Sequence, residues 1–79
     1  MERQELEAQV IEMVAMAYKK DASEVTTEST FKEDLAGASV QMVALVSEIE
    51  NELDVALMLA DASACATVGE LIDLIEEEL

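Results

Sequence analysis

The clearest fold signal in the chain is the stretch TVGELIDLIEEEL, which runs from Thr67 to Leu79. Thr67 and Glu70 form a T-x-x-E capping box, in which side-chain oxygens accept hydrogen bonds from backbone N–H groups at a helix start. Apolar residues then recur at the i, i+3, i+4, i+7 and i+11 spacing of one helix face, at Val68, Leu71, Ile72, Ile75 and Leu79. The stretch predicts a helix that begins after Thr67 and buries this face.

Three further helices are predicted upstream of this one. The first covers Glu2 to Lys20, with an apolar stripe at Leu6, Val10, Met13, Val14 and Ala17. The second covers Ser39 to Leu53, and its predicted buried stripe is Val40, Val43, Val46, Ile49 and Leu53. A short helix is predicted around Ala60 to Ala64.

A long connection, Asp21 to Ala38, separates the first two helices and is dense in Ser and Thr. Because a structureless loop of this length is unusual in a compact domain, Val25, Phe31 and Leu35 are expected to reach the core. A helical turn is expected near Thr30 to Asp34. The fold class is therefore all-α, a four-helix bundle with three longer helices, a short third helix and a long first loop, in a single domain spanning residues 1–79.

The charge of the chain limits its partners. Four basic residues face nineteen acidic ones, and the net charge is −15. Such a surface repels nucleic acids and anionic membranes but attracts proteins with basic patches. Solubility alone is the competing explanation for the acidity, and composition does not decide between the two.

Several kinds of chemistry are excluded by missing residue types. The chain has no histidine, and Cys65 is its one cysteine, so neither a disulfide, a metal framework nor a Ser-His pair is available. An enzyme that works with its own side chains is not expected. No signal peptide or membrane span is recognised, which predicts a protein of the cytoplasm or of an equivalent organelle matrix.

Ser39 is the residue that stands out chemically. It follows the small residues Ala36, Gly37 and Ala38 at the start of a predicted long helix. Its hydroxyl fits an ordinary helix cap. The alternative is a display site that another enzyme can reach, because a helix N-terminus tolerates a phosphodiester.

The chain resembles the acyl carrier protein family, which carries F-x-x-D-L-G-x-D-S-L ahead of an acidic helix. The match here is FKEDLAGASV, from Phe31 to Val40. Upstream, Val25 to Phe31 also resembles the family's loop. Downstream, similar residues follow without a gap at Val43, Ile49, Glu50, Leu53, Ala62, Thr67, Val68, Ile72, Asp73 and Ile75.

This resemblance implies a carrier of acyl thioesters on a 4′-phosphopantetheine arm attached to Ser39, in fatty acid, lipid or polyketide-type synthesis. Its implied partners are a phosphopantetheinyl transferase and acyl-transferring and acyl-processing enzymes, and the chain is expected to be a monomer. The acyl chain would lie between the second and third helices, lined by Val43, Val46, Leu57, Ala62 and Cys65. Cys65 is expected to act as a small buried hydrophobe.

The sequence departs from the family pattern on the surface that partners use. Ala38 replaces the acid before the serine. Gln41 and Ala44 stand where the family usually has acids, and together with Ser47 and Asn51 they form a nearly neutral stripe along the outer face of the second helix. The alternative function is therefore an interaction subunit that keeps the fold but is not modified.

Met58 and Leu59 are a second departure, since the family is usually polar there. Either one of them enlarges the core, or both form an exposed apolar contact for a dedicated partner.

Overall fold

Over its described residues, the chain folds into four α-helices and one short 3₁₀ turn. The computed structural model describes residues 2–33 and 39–79, with the side chain of Ser39 outside that description. The helices are α1 (Arg3–Tyr18), α2 (Ser39–Leu53), α3 (Leu59–Ser63) and α4 (Val68–Glu78), and the 3₁₀ turn is Ala22–Glu24. The predicted all-helical bundle with one short third helix is confirmed.

The helix α4 forms as its sequence predicts. The Thr67 hydroxyl accepts a hydrogen bond from the Glu70 N–H at 3.2 Å, and the Glu70 carboxylate accepts one from the Ala66 N–H at 3.3 Å. Four of its predicted apolar residues are fully buried, namely Val68, Leu71, Ile72 and Ile75. The prediction for Leu79 was wrong, because α4 ends at Glu78 and Leu79 is exposed beyond it.

The long first loop is fastened to the start of α4. The N–H groups of Val68 and Gly69 donate to the carbonyls of Ser29 (3.0 Å) and Thr27 (2.7 Å), and Phe31 donates to the Ala66 carbonyl (3.1 Å). The first two bonds satisfy N–H groups of α4 that have no partner within the helix. A side chain at Gly69 would place its Cβ 3.0 Å from the Thr27 carbonyl oxygen, so the close approach favours glycine.

The two predicted loop anchors that the structure describes reach the core, as expected. Val25 and Phe31 are buried, and the Phe31 ring lies 5.9 Å from that of Tyr18. Residues 31–33 form a turn. The predictions for Leu35 and for the end of the turn at Asp34 fall outside the described residues.

The helix α1 is shorter than predicted and buries a slightly different face. It ends at Tyr18, because Lys19 adopts a left-handed conformation (φ 57°) and the Lys20 N–H closes back on the Ala15 carbonyl. Ala15 and Tyr18 are buried, whereas Ala17 is only half-buried. One cation ties this helix to α4: the Arg3 guanidinium contacts Glu7 on α1 and both Asp73 and Glu76 on α4, at 2.9, 2.8 and 3.0 Å.

The boundaries predicted for α2 are confirmed, but its predicted stripe was partly wrong. The buried residues of α2 are Met42, Leu45, Val46 and Ile49, while Leu53 is half-buried. Val40 is 70% exposed and Val43 is 46% exposed. A helix turns about 100° per residue, so Val40 and Ile49 lie about 180° apart and cannot share one face.

Candidate functional site

The site predicted from the sequence begins at the N-terminus of α2. Ser39 is the first residue of this 15-residue helix, and the first turn contains no acidic residue. The exposed N–H groups and dipole of such an end favour an anionic group. A helix start of this kind is compatible with a nearby phosphodiester, while Ala38 and the side chain of Ser39 lie outside the described residues.

Around this helix end, the apolar surface is exposed rather than buried. Val40 follows Ser39 directly and projects into solvent, and Val43 is partly exposed one turn later. The neighbouring neutral stripe is also at the surface, with Ala44, Ser47 and Asn51 exposed and Gln41 half-buried.

The segment that leads into α3 alternates between buried and exposed residues. Val55 and Leu57 are buried, whereas Ala56 and Met58 are exposed, which is the pattern of an extended strand-like stretch. The Glu50 carboxylate accepts a hydrogen bond from the Leu57 N–H at 3.1 Å and so ties this segment to α2.

Met58 and Leu59 both remain at the surface. Met58 is 69% exposed and Leu59 is 43% exposed. The possibility that one of them enlarges the core was therefore wrong. Here α3 spans Leu59–Ser63, one residue earlier than predicted, and its one buried residue is Ala62.

The residues expected to line an acyl chain fall into three groups. Val46, Leu57 and Ala62 are buried in the core. Cys65 packs partly against the core, and Val43 lies partly exposed on α2. Burial raises the pKa of the Cys65 thiol, and the nearby carboxylates of Glu70, Asp61 and Asp73 raise it further.

A surface cleft adjoins this group. It has a volume of about 390 Å³ and lies between residues 30–33 of the first loop and residues 63–66 at the end of α3 and just beyond it. Phe31 and Lys32 line it on the loop side, with Cys65 and Ala66 opposite. The sequence analysis missed this cleft, because its two sides are at least thirty positions apart in the chain.

Over residues 2–33 and 39–79, no cluster of three or more His, Cys, Asp or Glu side chains could hold a metal ion. Across the same residues, no helix combines the length and apolar character needed to span a membrane.

Comparison with known proteins shows to which family the chain belongs. The family model described as "Phosphopantetheine attachment site" matches residues 8–75. The chain belongs to this phosphopantetheine-attachment family. The cofactor implied by the sequence, 4′-phosphopantetheine, is thereby confirmed as the group that the family carries.

Individual relatives cover the chain almost completely. It is 35% identical to an acyl carrier protein of an Exiguobacterium species over 79 residues, all of both chains. It is 37% identical to an acyl carrier protein of Porphyromonas gingivalis over 75 residues, which are 95% of this chain and 96% of the relative. It is 40% identical to one of Rickettsia canadensis over 72 residues, which are 91% and 84%. The predicted resemblance to acyl carrier proteins is confirmed.

Proposed function

We propose that this chain is an acyl carrier and that Ser39 is its attachment residue. The observation that carries the proposal is that Ser39 opens α2 inside the segment that matches the family. When bound, phosphopantetheine supplies a thiol that holds an acyl group as a thioester. The pathways this would serve are fatty acid, lipid or polyketide-type synthesis.

The chain's own contribution is positioning and shelter. The start of α2 orients the attached group through backbone N–H groups, with no carboxylate in the first turn to repel a phosphodiester. We propose that the acyl chain separates α2 from α3 and contacts Val46, Leu57 and Ala62, with Val43 and Cys65 at the edges. Burial of these three side chains supports an apolar interior at that place.

We further propose that partner enzymes dock on the α2–α3 surface, defined here as Val40, Val43, Met58 and Leu59 together with the neutral stripe Gln41, Ala44, Ser47 and Asn51. The four apolar residues are all exposed, which supports a contact with a partly hydrophobic character. A phosphopantetheinyl transferase and acyl-processing enzymes adapted to this chain are the expected partners. The whole chain would act as one carrier domain and as a monomer.

Intact mass spectrometry tests the attachment. After co-expression with a broad-specificity phosphopantetheinyl transferase, the wild type should gain one phosphopantetheine. Ser39→Ala should stay folded, because loss of a serine at a helix start costs about 1 kcal/mol, and should gain none. The matched control Ser47→Ala should be modified like the wild type. A wild type that no transferase modifies would favour the alternative, an unmodified interaction subunit with this fold.

A double substitution tests the docking surface. Met58→Glu with Leu59→Glu should leave the helical circular dichroism intact, since both residues are exposed, yet weaken binding to an acyl-processing partner. The control is Gln4→Glu with Leu79→Glu, which adds the same two charges elsewhere on the exposed surface. Equal loss of binding in both variants would show that only net charge matters, and unfolding of the first would place Met58 and Leu59 in the core.

A further inference from the structure

A second exposed apolar feature lies between α1 and α2. Two adjoining clefts, of about 410 and 140 Å³, share Met13 and Met16 in their walls. Ala17 and Ala44 are the other apolar residues that line them. We call these two adjoining clefts together the α1–α2 cleft. Met58 and Leu59 do not line it, so it is separate from the α3 side of the docking surface and meets that surface at Ala44.

The exposure of Met16 is the unusual part of this cleft. Its side chain is 73% exposed, the most exposed of the large apolar residues that the structure describes. Met13, one turn earlier, is buried beneath it. Methionine is flexible and polarizable, which suits a surface that adapts to another side chain. The two alanines are small, so a partner backbone can approach the cleft closely.

The charge around the cleft specifies its occupant. Glu12 and Glu52 line the larger cleft and Glu48 lines the smaller, whereas neither cleft is lined by a Lys or Arg. A second copy of this chain brings a net charge of −15 and like charges, and an anionic membrane is repelled in the same way. An apolar centre with a carboxylate rim is complementary to an apolar side chain flanked by cations.

We infer that the α1–α2 cleft binds a basic amphipathic helix of a partner protein. An apolar side chain of that helix packs on Met16, between Ala17 and Ala44, and its Lys or Arg residues face Glu12, Glu48 and Glu52. This is a helix-in-groove contact with cations at the rim. None of the residues proposed above to contact the acyl chain lines this cleft.

Peptide binding to the intact protein tests this inference. The probe is a fluorescein-labelled helical peptide with one leucine stripe flanked by arginines, and its partner peptide has glutamates in place of the arginines. Fluorescence anisotropy at physiological salt should show binding of the arginine peptide only. Amide shifts of the ¹⁵N-labelled protein should concentrate at Met13, Met16, Ala17, Ala44 and Glu48.

Substitutions then locate the contact. Met16→Glu should lower the affinity for the arginine peptide by about tenfold, a loss typical of removing one apolar anchor. The uncharged Met16→Gln should lower this affinity less. The matched control is Leu79→Glu, which also replaces an exposed apolar residue with a glutamate, just beyond the end of α4. This variant should bind the arginine peptide as tightly as the wild type does. Glu48→Gln with Glu52→Gln should weaken binding and flatten its salt dependence.

Three results would overturn the inference. The first is equal weakening by Leu79→Glu and Met16→Glu, which would mean diffuse attraction to an acidic protein. The second is a set of amide shifts confined to Val40, Val43, Met58 and Leu59. The third is concentration-dependent dimerisation that Met16→Glu abolishes, which would assign the cleft to a second copy. Phosphopantetheine attachment to Met16→Glu should match the wild type, so failure here leaves the carrier proposal standing.

Discussion

The two helices α4 and α2 differ in how far their sequences determine which face is buried. In α4, four of the five residues of the predicted stripe are fully buried, and its other positions are mainly acidic. In α2, apolar residues occur on two faces, so the hydrophobic pattern allows more than one buried stripe. Packing selects the face with Leu45 and Ile49 and leaves Val40 and Val43 outside.

The difference corresponds to different roles. The apolar face of α4 packs in the core, and the start of α4 also fastens the long loop through Val68 and Gly69. On α2, the second apolar face lies beside Ser39, where modifying enzymes would need contact. The docking surface proposed above therefore uses apolar residues of α2 that core packing leaves exposed.

The largest predicted effect is on the buried stripe of α4. Ile72→Ala should lower the free energy of unfolding by about 2–4 kcal/mol, because it leaves a cavity at a fully buried site. In a domain whose total stability is a few kcal/mol by rough estimate, this change approaches complete unfolding. Urea denaturation followed by circular dichroism measures it.

A matched pair sharpens that comparison. Val68→Ala on α4 should cost more than 1 kcal/mol, by rough estimate, and Val43→Ala on α2 should stay within about 0.5 kcal/mol. Equal losses at the two valines would mean that Val43 is buried in solution, and the contrast between the two helices would disappear.

The next effect concerns the start of α4. Thr67→Ala removes the hydroxyl that accepts from the Glu70 N–H and should cost about 1 kcal/mol of folding stability. The control Ser63→Ala changes an exposed hydroxyl in α3 and should be nearly neutral. Urea midpoints at constant slope distinguish the two. A neutral Thr67→Ala would show that loop carbonyls alone satisfy the helix start.

Two residues with a left-handed backbone conformation should give a smaller effect, in which substitution raises the stability instead of lowering it. Lys19 follows α1 with φ 57°, and Asp54 follows α2 with φ 54°. Glycine adopts this conformation without strain, so Lys19→Gly and Asp54→Gly should each raise stability by up to about 1 kcal/mol. The gain should be larger at Lys19, since Asp tolerates the left-handed region better. Thermal melts measure both, and a loss at either position would contradict its backbone conformation.

The smallest effect concerns charge. Arg3→Met removes the cation that joins α1 to α4 and should lower the melting temperature slightly at low salt. Lys20→Met makes the same change in net charge and should have less effect. Added salt should raise the wild-type melting temperature by screening the repulsion of a −15 chain, and it should narrow the gap to Arg3→Met. A gap that widens with salt would exclude an ionic origin.

The sequence by itself determined the helical class, the boundaries of α2, the capped start of α4 and its buried stripe. Each of these depends on local chemistry, namely a capping box, a 3.6-residue period and the absence of proline. The motif from Phe31 to Val40 also led to Ser39 as the proposed attachment residue, by its resemblance to the family's serine motif. None of these inferences needs to know which helices are neighbours.

Only the tertiary structure decided which of two apolar faces of α2 is buried, and that Met58 and Leu59 remain at the surface. It also brought Ala44 of α2 beside Met13 and Met16 of α1, and Thr27 beside Gly69. Burial on a helix with two apolar faces depends on what packs against it, and that neighbour comes from a distant part of the chain. A sequence pattern shows which residues of one helix share a face, but it does not show which helices are neighbours. The α1–α2 cleft, the cleft beside α3 and the loop's attachment to α4 could therefore be seen only in the folded chain.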